Sequence, residues 1–220
     1  MKTNIINTAF ALFAFVCFAL SPMARAQLSP PPDGFYPGLN TAEGQNALFS
    51  LDTSTGVGNT AVGWFSLKSD VKGSFNTAIG AGTLLLNVSD PNTGNGTENT
   101  AIGAAALLLN TTGTQNTANG AFALFNNTTE SFNTATGFQA LFSNTGDGGH
   151  YNVATGYQAL YSNTTGRRNT AEGNQALYSN TISNFNTAVG DQALFSLAPA
   201  DANGNGANTA IGEILTSDIT

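Results

Sequence analysis

The chain has 220 residues, 41% of them hydrophobic and only 9% charged, with a formal charge of −7 and a single cysteine. Such an acidic balance disfavours a phosphate backbone or an anionic membrane surface as partner, and one thiol cannot form an intrachain disulfide. The sparse charges and abundant Gly, Asn, Thr and Ala would fit disorder, but Leu and aromatics return at a fixed phase, which a disordered segment lacks.

In chain order the first element is a secretory signal over residues 1–26. Lys2 precedes an apolar run from Phe10 to Leu20, and Ala24-Arg25-Ala26 is a small-x-small cleavage site. The run is too short to span a bilayer and ends at Ser21-Pro22, so no membrane span is expected in the mature chain, and the protein is expected to be secreted or displayed on a cell surface. Cleavage would remove Cys17, Lys2 and Arg25, leaving 4 basic residues against 13 acids, a charge of 4 − 13 = −9. Residues 27–39 carry Pro30, Pro31, Pro32 and Pro37 and read as a linker or N-terminal cap, because proline cannot pair in a central strand.

From residue 40 to 220 the pentapeptide Asn-Thr-Ala-x-Gly recurs ten times, beginning at Asn40, Asn59, Asn76, Asn99, Asn116, Asn133, Asn152, Asn169, Asn186 and Asn208, with Val153 replacing Thr in the seventh copy. The commonest interval is 17 residues, too short for a helix hairpin. It predicts an all-β parallel β-solenoid (β-roll) of about ten coils, each built from two short strands and two corners.

Counting from the Asn as position 1, strand alternation turns the Ala of position 3 inward and positions 2 and 4 outward, and the invariant Gly of position 5 suits a sharp corner. The second strand is expected at Ala-Leu-aromatic, for instance Ala140-Leu141-Phe142. With the Leu of position 9 in the core, position 10 faces outward as a column of Phe49, Leu85, Leu108, Phe125, Phe142, Tyr161, Tyr178 and Phe195, broken by Lys68. Exposed apolar stripes mark partner surfaces, so this column is the candidate oligomer face. Strands this short are equally compatible with the reverse phasing, aromatics inside.

The second corner reads Asn-Thr-Thr-Gly, as at residues 110–113 and 163–166, where Asn amides stacked coil on coil would form ladders. The larger insertions fall in this corner, within 87–98, 144–151 and 197–207, and would project from one edge as candidate attachment loops. The tenth copy departs from the pattern at Glu213-Ile214-Leu215, as a modified cap or a piece of something longer would.

The repeated Asn-Thr-Ala-Ile-Gly at Asn76, Asn99 and Asn208 resembles the head repeats of trimeric autotransporter adhesins, the YadA-like surface proteins of Gram-negative bacteria. The resemblance covers residue 40 to about residue 216, and it implies a left-handed roll, a homotrimer and attachment to host matrix protein or surface glycan. Family coils are shorter and lean on Ser-x-Ala-x-Gly. The pattern is also similar to repeat regions ahead of tail-fibre-type self-cleaving chaperone domains.

Catalysis finds little support. His150, the single histidine, lies in a glycine loop, and no zinc spacing, nucleophile elbow or phosphate-binding loop occurs. Glu43 and Glu172 share position 4 in distant coils, Asp90, Asp147 and Asp201 sit in separate loops without the calcium-binding nonapeptide, and no cofactor or metal is expected. Sequons at Asn87, Asn95, Asn110, Asn126, Asn127 and Asn163 read as the repeat's own turn. The position-2 threonines would suit an ice-binding face, but position 4 is too mixed to supply a second matched column. The expectation is a non-enzymatic adhesin-like protein, with a carbohydrate-active β-helix enzyme or an inert fibre shaft as alternatives.

Overall fold

A computed structural model describes residues 37–88, 95–146, 148–197 and 206–213. The leader expected at 1–26 and most of the Pro-rich segment lie outside the described residues. Ten three-residue strands follow a single 3₁₀ turn at Pro37–Leu39: β1 (Thr41–Glu43), β2 (Thr60–Val62), β3 (Thr77–Ile79), β4 (Thr100–Ile102) and β5 (Thr117–Asn119). They continue as β6 (Thr134–Thr136), β7 (Val153–Thr155), β8 (Thr170–Glu172), β9 (Thr187–Val189) and β10 (Thr209–Ile211).

All ten strands form one parallel sheet in sequence order, so each Asn-led repeat is one coil of a β-solenoid. Register is residue for residue, with Ala61 opposite Ala78 and Ala78 opposite Ala101. The 23-residue interval between Asn76 and Asn99, six residues longer than the commonest one, leaves that register intact.

Alternation in these strands works as expected. Ala61, Ala78, Ala101, Ala118, Ala135, Ala154, Ala171 and Ala188 are fully buried, while Thr and the position-4 residues face out. These Ala methyls and the Leu column form one buried cluster. The corner glycine answers to two constraints: Gly63 has φ of 129°, and a Cβ there would sit 2.6 Å from the carbonyl oxygen of Gly80 in the next coil.

The Ala-Leu-aromatic segment corrects the expectation of a second strand. It is a turn in every coil from 47–49 to 193–195, and φ alternates in sign through it. In coil six Gln139 and Leu141 have φ of 56° and 51°, and in coil seven Gln158 and Leu160 have 53° each. Left-handed non-glycine residues cost on the order of 1–3 kcal/mol each. Two gains offset this. Each Leu from Leu67 to Leu194 is fully buried, a contribution of about 1.5–3 kcal/mol, while Leu48 in the first coil is half-buried. Its N–H also donates to the next coil, as from Leu124 to the Ala140 carbonyl at 3.0 Å and from Leu141 to the Ala159 carbonyl at 2.9 Å.

The alternating conformation still sends neighbouring side chains to opposite sides, so Leu lies inside and position 10 outside. The core is therefore the Ala and Leu columns and nothing larger.

Candidate functional surface

Two asparagine ladders hold the coils in register and so position every outward column. In the first, the backbone N–H of each position-1 Asn donates to Oδ1 of the Asn one coil earlier, as Asn76 to Asn59 at 2.9 Å and Asn169 to Asn152 at 3.0 Å. The same side chains reach across the coil with Nδ2 to corner carbonyls, as Asn99 to Gly113 and Asn152 to Gly166, both at 2.9 Å.

The second ladder links corner amides directly: Asn110 to Asn87, Asn127 to Asn110, Asn144 to Asn127, Asn163 to Asn144 and Asn180 to Asn163, at 2.8 to 3.1 Å. Two buried amide atoms fall outside the scheme. Asn180 Oδ1 ends its ladder because the next coil has Leu197 there, and Asn133 Nδ2 is the second such atom.

These ladders account for most sequons. Asn87, Asn110, Asn127 and Asn163 are fully buried rungs, inaccessible to glycosylation in the folded chain, whereas Asn126 and Asn95 are half-buried.

Outside the ladders lies the position-10 column. Phe49 is 69% exposed, Leu85, Leu108 and Phe125 are buried, and Phe142, Tyr161, Tyr178 and Phe195 are half-buried. From Phe125 to Phe195 the five rings form a continuous stack, with centroids 5.0 to 5.3 Å apart and planes within 6° of parallel. Each ring covers the faces of its neighbours, and the four half-buried rings, Phe142 to Phe195, leave an edge to solvent. Burial, then the nearby phenols of Tyr178 and Tyr157, pushes the Tyr161 hydroxyl above its usual pKa. Lys68 interrupts the column with its ammonium 4.4 Å from the Phe65 ring centre.

Two further columns were not anticipated. At position 6, Phe138 and Tyr157 stack at 5.7 Å, and Phe122 bridges them to the position-10 stack, 6.0 Å from Phe138 and 5.7 Å from Phe125. The residue just before each Asn supplies the other column. There Phe132 and Tyr151 stack at 4.9 Å, and the Arg168 guanidinium sits between Tyr151 and Phe185, 5.7 and 5.5 Å from the ring centres. Every residue of this column has positive φ, for instance 63° at Phe132 and 61° at Phe185, which lifts the side chain off the coil. The Phe and Tyr at this position were visible in the sequence, but Glu98, Gln115 and Arg168 interleave with them and mask the pattern.

The polar candidates resolve as supports. His150 Nδ1 accepts the Ser131 N–H at 2.9 Å, and its carbonyl accepts the Arg168 N–H. Buried Glu130 accepts from the Thr128 and Thr129 amides and the Thr129 hydroxyl. Glu43 and Glu172 lie seven strands apart, about 34 Å at ~4.8 Å per strand, which precludes a shared substrate. Among the described residues no three His, Cys, Asp or Glu side chains gather into a metal-holding group, and no helix is long and apolar enough to cross a membrane. Asp90, Asp147 and Asp201 lie outside the described residues, as do 89–94 and 198–205 of the insertion loops.

Comparison with protein-family models, curated proteins and solved structures finds no match for this chain.

Proposed function

We propose that this is a secreted, adhesin-like structural protein without catalytic activity, which self-associates as a trimer through its outer aromatic surface and attaches through that assembly to a protein partner. The observation that carries this reading is the ring stack from Phe125 to Phe195 and its continuation through Phe122 to Phe138 and Tyr157. A soluble chain rarely leaves so extended an apolar surface uncovered. Sugars bind aromatic residues by lying on a ring face, and in these stacks the faces are taken. Edges are what remain, and edges meet other side chains in edge-to-face contacts, so a protein surface fits better than a glycan. The resemblance of Asn-Thr-Ala-Ile-Gly to trimeric adhesin heads supports the same reading.

Light scattering on the unaltered protein tests it: a trimer is expected, and a monomer overturns the trimer claim. Phe142→Ser with Tyr161→Ser is expected to weaken association. Exposed Tyr157→Ser separates loss of contact from loss of fold. For attachment, retention on immobilised matrix proteins but not on a glycan panel is expected, and the reverse result overturns the choice of partner. A fibre shaft is the second reading, favoured by the unbroken register of all ten strands. It predicts assembly without retention on either surface.

A further inference from the structure

The two unanticipated columns flank the strands at opposite ends. The residue before each Asn lies two positions upstream of its strand, and position 6 lies two positions downstream, beyond the corner glycine. A closed ring of identical chains joins two different patches, and its symmetry is a rotation with no translation, so with the axis along the stack coil n of one copy faces coil n of the next.

In coils two, three, six and seven the two columns are complementary. In coil two Gly58 is level with the large Trp64, and in coil three exposed Phe75 is level with Ala81. Phe132 is level with Phe138 in coil six and Tyr151 with Tyr157 in coil seven, all four rings more than 40% exposed. Coils eight and nine carry the charges. Arg167 and Arg168 are the only Lys or Arg after Lys72, and both are exposed beside the first column. On the other side, position 6 of coil eight is Asn174, level with Arg168 and held at 2.6 Å to the exposed acid Asp191 one coil further on, while exposed Glu172 lies at position 4 of coil eight.

We infer that the column Phe132, Tyr151, Arg168, Phe185 of one copy docks, coil against coil, on the Phe138, Tyr157, Asn174, Asp191 side of a second copy, so that the contact is heterologous and closes as a ring. This rests on the proposed self-association and assigns its two faces. Arg168 is suited to the position because its planar group packs between rings while presenting N–H donors to carboxylates.

Disulfide trapping tests the assignment in a Cys17→Ser background. Within one chain the two edges are too far apart to bridge. Disulfide formation is expected when Phe132→Cys chains are mixed with Phe138→Cys chains, and not with either variant alone. Crosslinking of either variant with itself, or none at all while light scattering still reports an oligomer, overturns the inference and leaves the self-association reading standing. A monomer by light scattering overturns both. Arg168→Glu is expected to weaken association about tenfold and Asp191→Lys to restore it in the same chain. Failure of that rescue in a folded double variant also counts against the docking.

Discussion

Asn127 donates from Nδ2 both to Asn110 Oδ1 one coil back and to the Glu130 carbonyl of its own corner, each at 2.9 Å. One amide thus closes a turn and fixes the register of two coils, with no solvent to substitute for either bond. Asn127→Asp keeps the shape but replaces the donor with an acceptor facing two acceptors. Since each orphaned buried group costs about 1–3 kcal/mol, a loss of stability on that order is expected in chemical denaturation. An unchanged midpoint would show that the ladder contributes nothing.

The Leu and aromatic columns are expected to separate cleanly by stability. Leu141→Ala removes a fully buried side chain from a core that has only Ala and Leu to collapse with, and it should cost about 2–5 kcal/mol. Tyr157→Ala, on the exposed column, should stay within about 0.5 kcal/mol in the monomer. Equal effects would contradict the assignment of inside and outside.

Gly63→Ala meets both the positive φ and the Gly80 carbonyl, so no small adjustment relieves it. A loss of roughly 1–3 kcal/mol is expected from backbone strain alone. Wild-type thermal unfolding would refute the close-approach argument.

Tyr161 should resist alkaline titration. Its folded pKa lies above the unfolded value near 10, so between the two the native state binds more protons and stability falls as pH rises through that window. Tyr161→Phe should blunt the alkaline loss and remove a late-titrating phase from the ultraviolet phenolate absorbance. On the acid side, the Ser54 hydroxyl and amide hold the Asp52 carboxyl below its ordinary value, a contribution present above that value and lost as pH falls.

Produced in a glycosylating secretory host, folded protein should carry no glycan at Asn110, Asn127 or Asn163. Peptide mass mapping that finds one there would overturn the ladder assignment.

The repeat's fixed phase made the solenoid, the inward Ala and the corner Gly legible, because each follows from side-chain size at one position of a periodic strand. The second strand was misread for a specific reason. Ala140-Leu141-Phe142 has strand-like alternation, but alternating the sign of φ also sends neighbours to opposite sides, and composition cannot separate the two backbones. The column containing Phe132 and Phe185 escaped notice because it depends on stacking between residues 17 to 19 apart, and its members share a conformation, not a residue type.

The interval between Asn76 and Asn99 takes up six extra residues while Thr77 and Thr100 stay paired. Variation in chain length is thus absorbed outside the paired strands, and the axial spacing never feels it. The number of coils is therefore free to change independently of everything else: excising residues 117–133 would bring one standard coil against another and shorten the molecule by a single step, as trimming a stack of identical washers does.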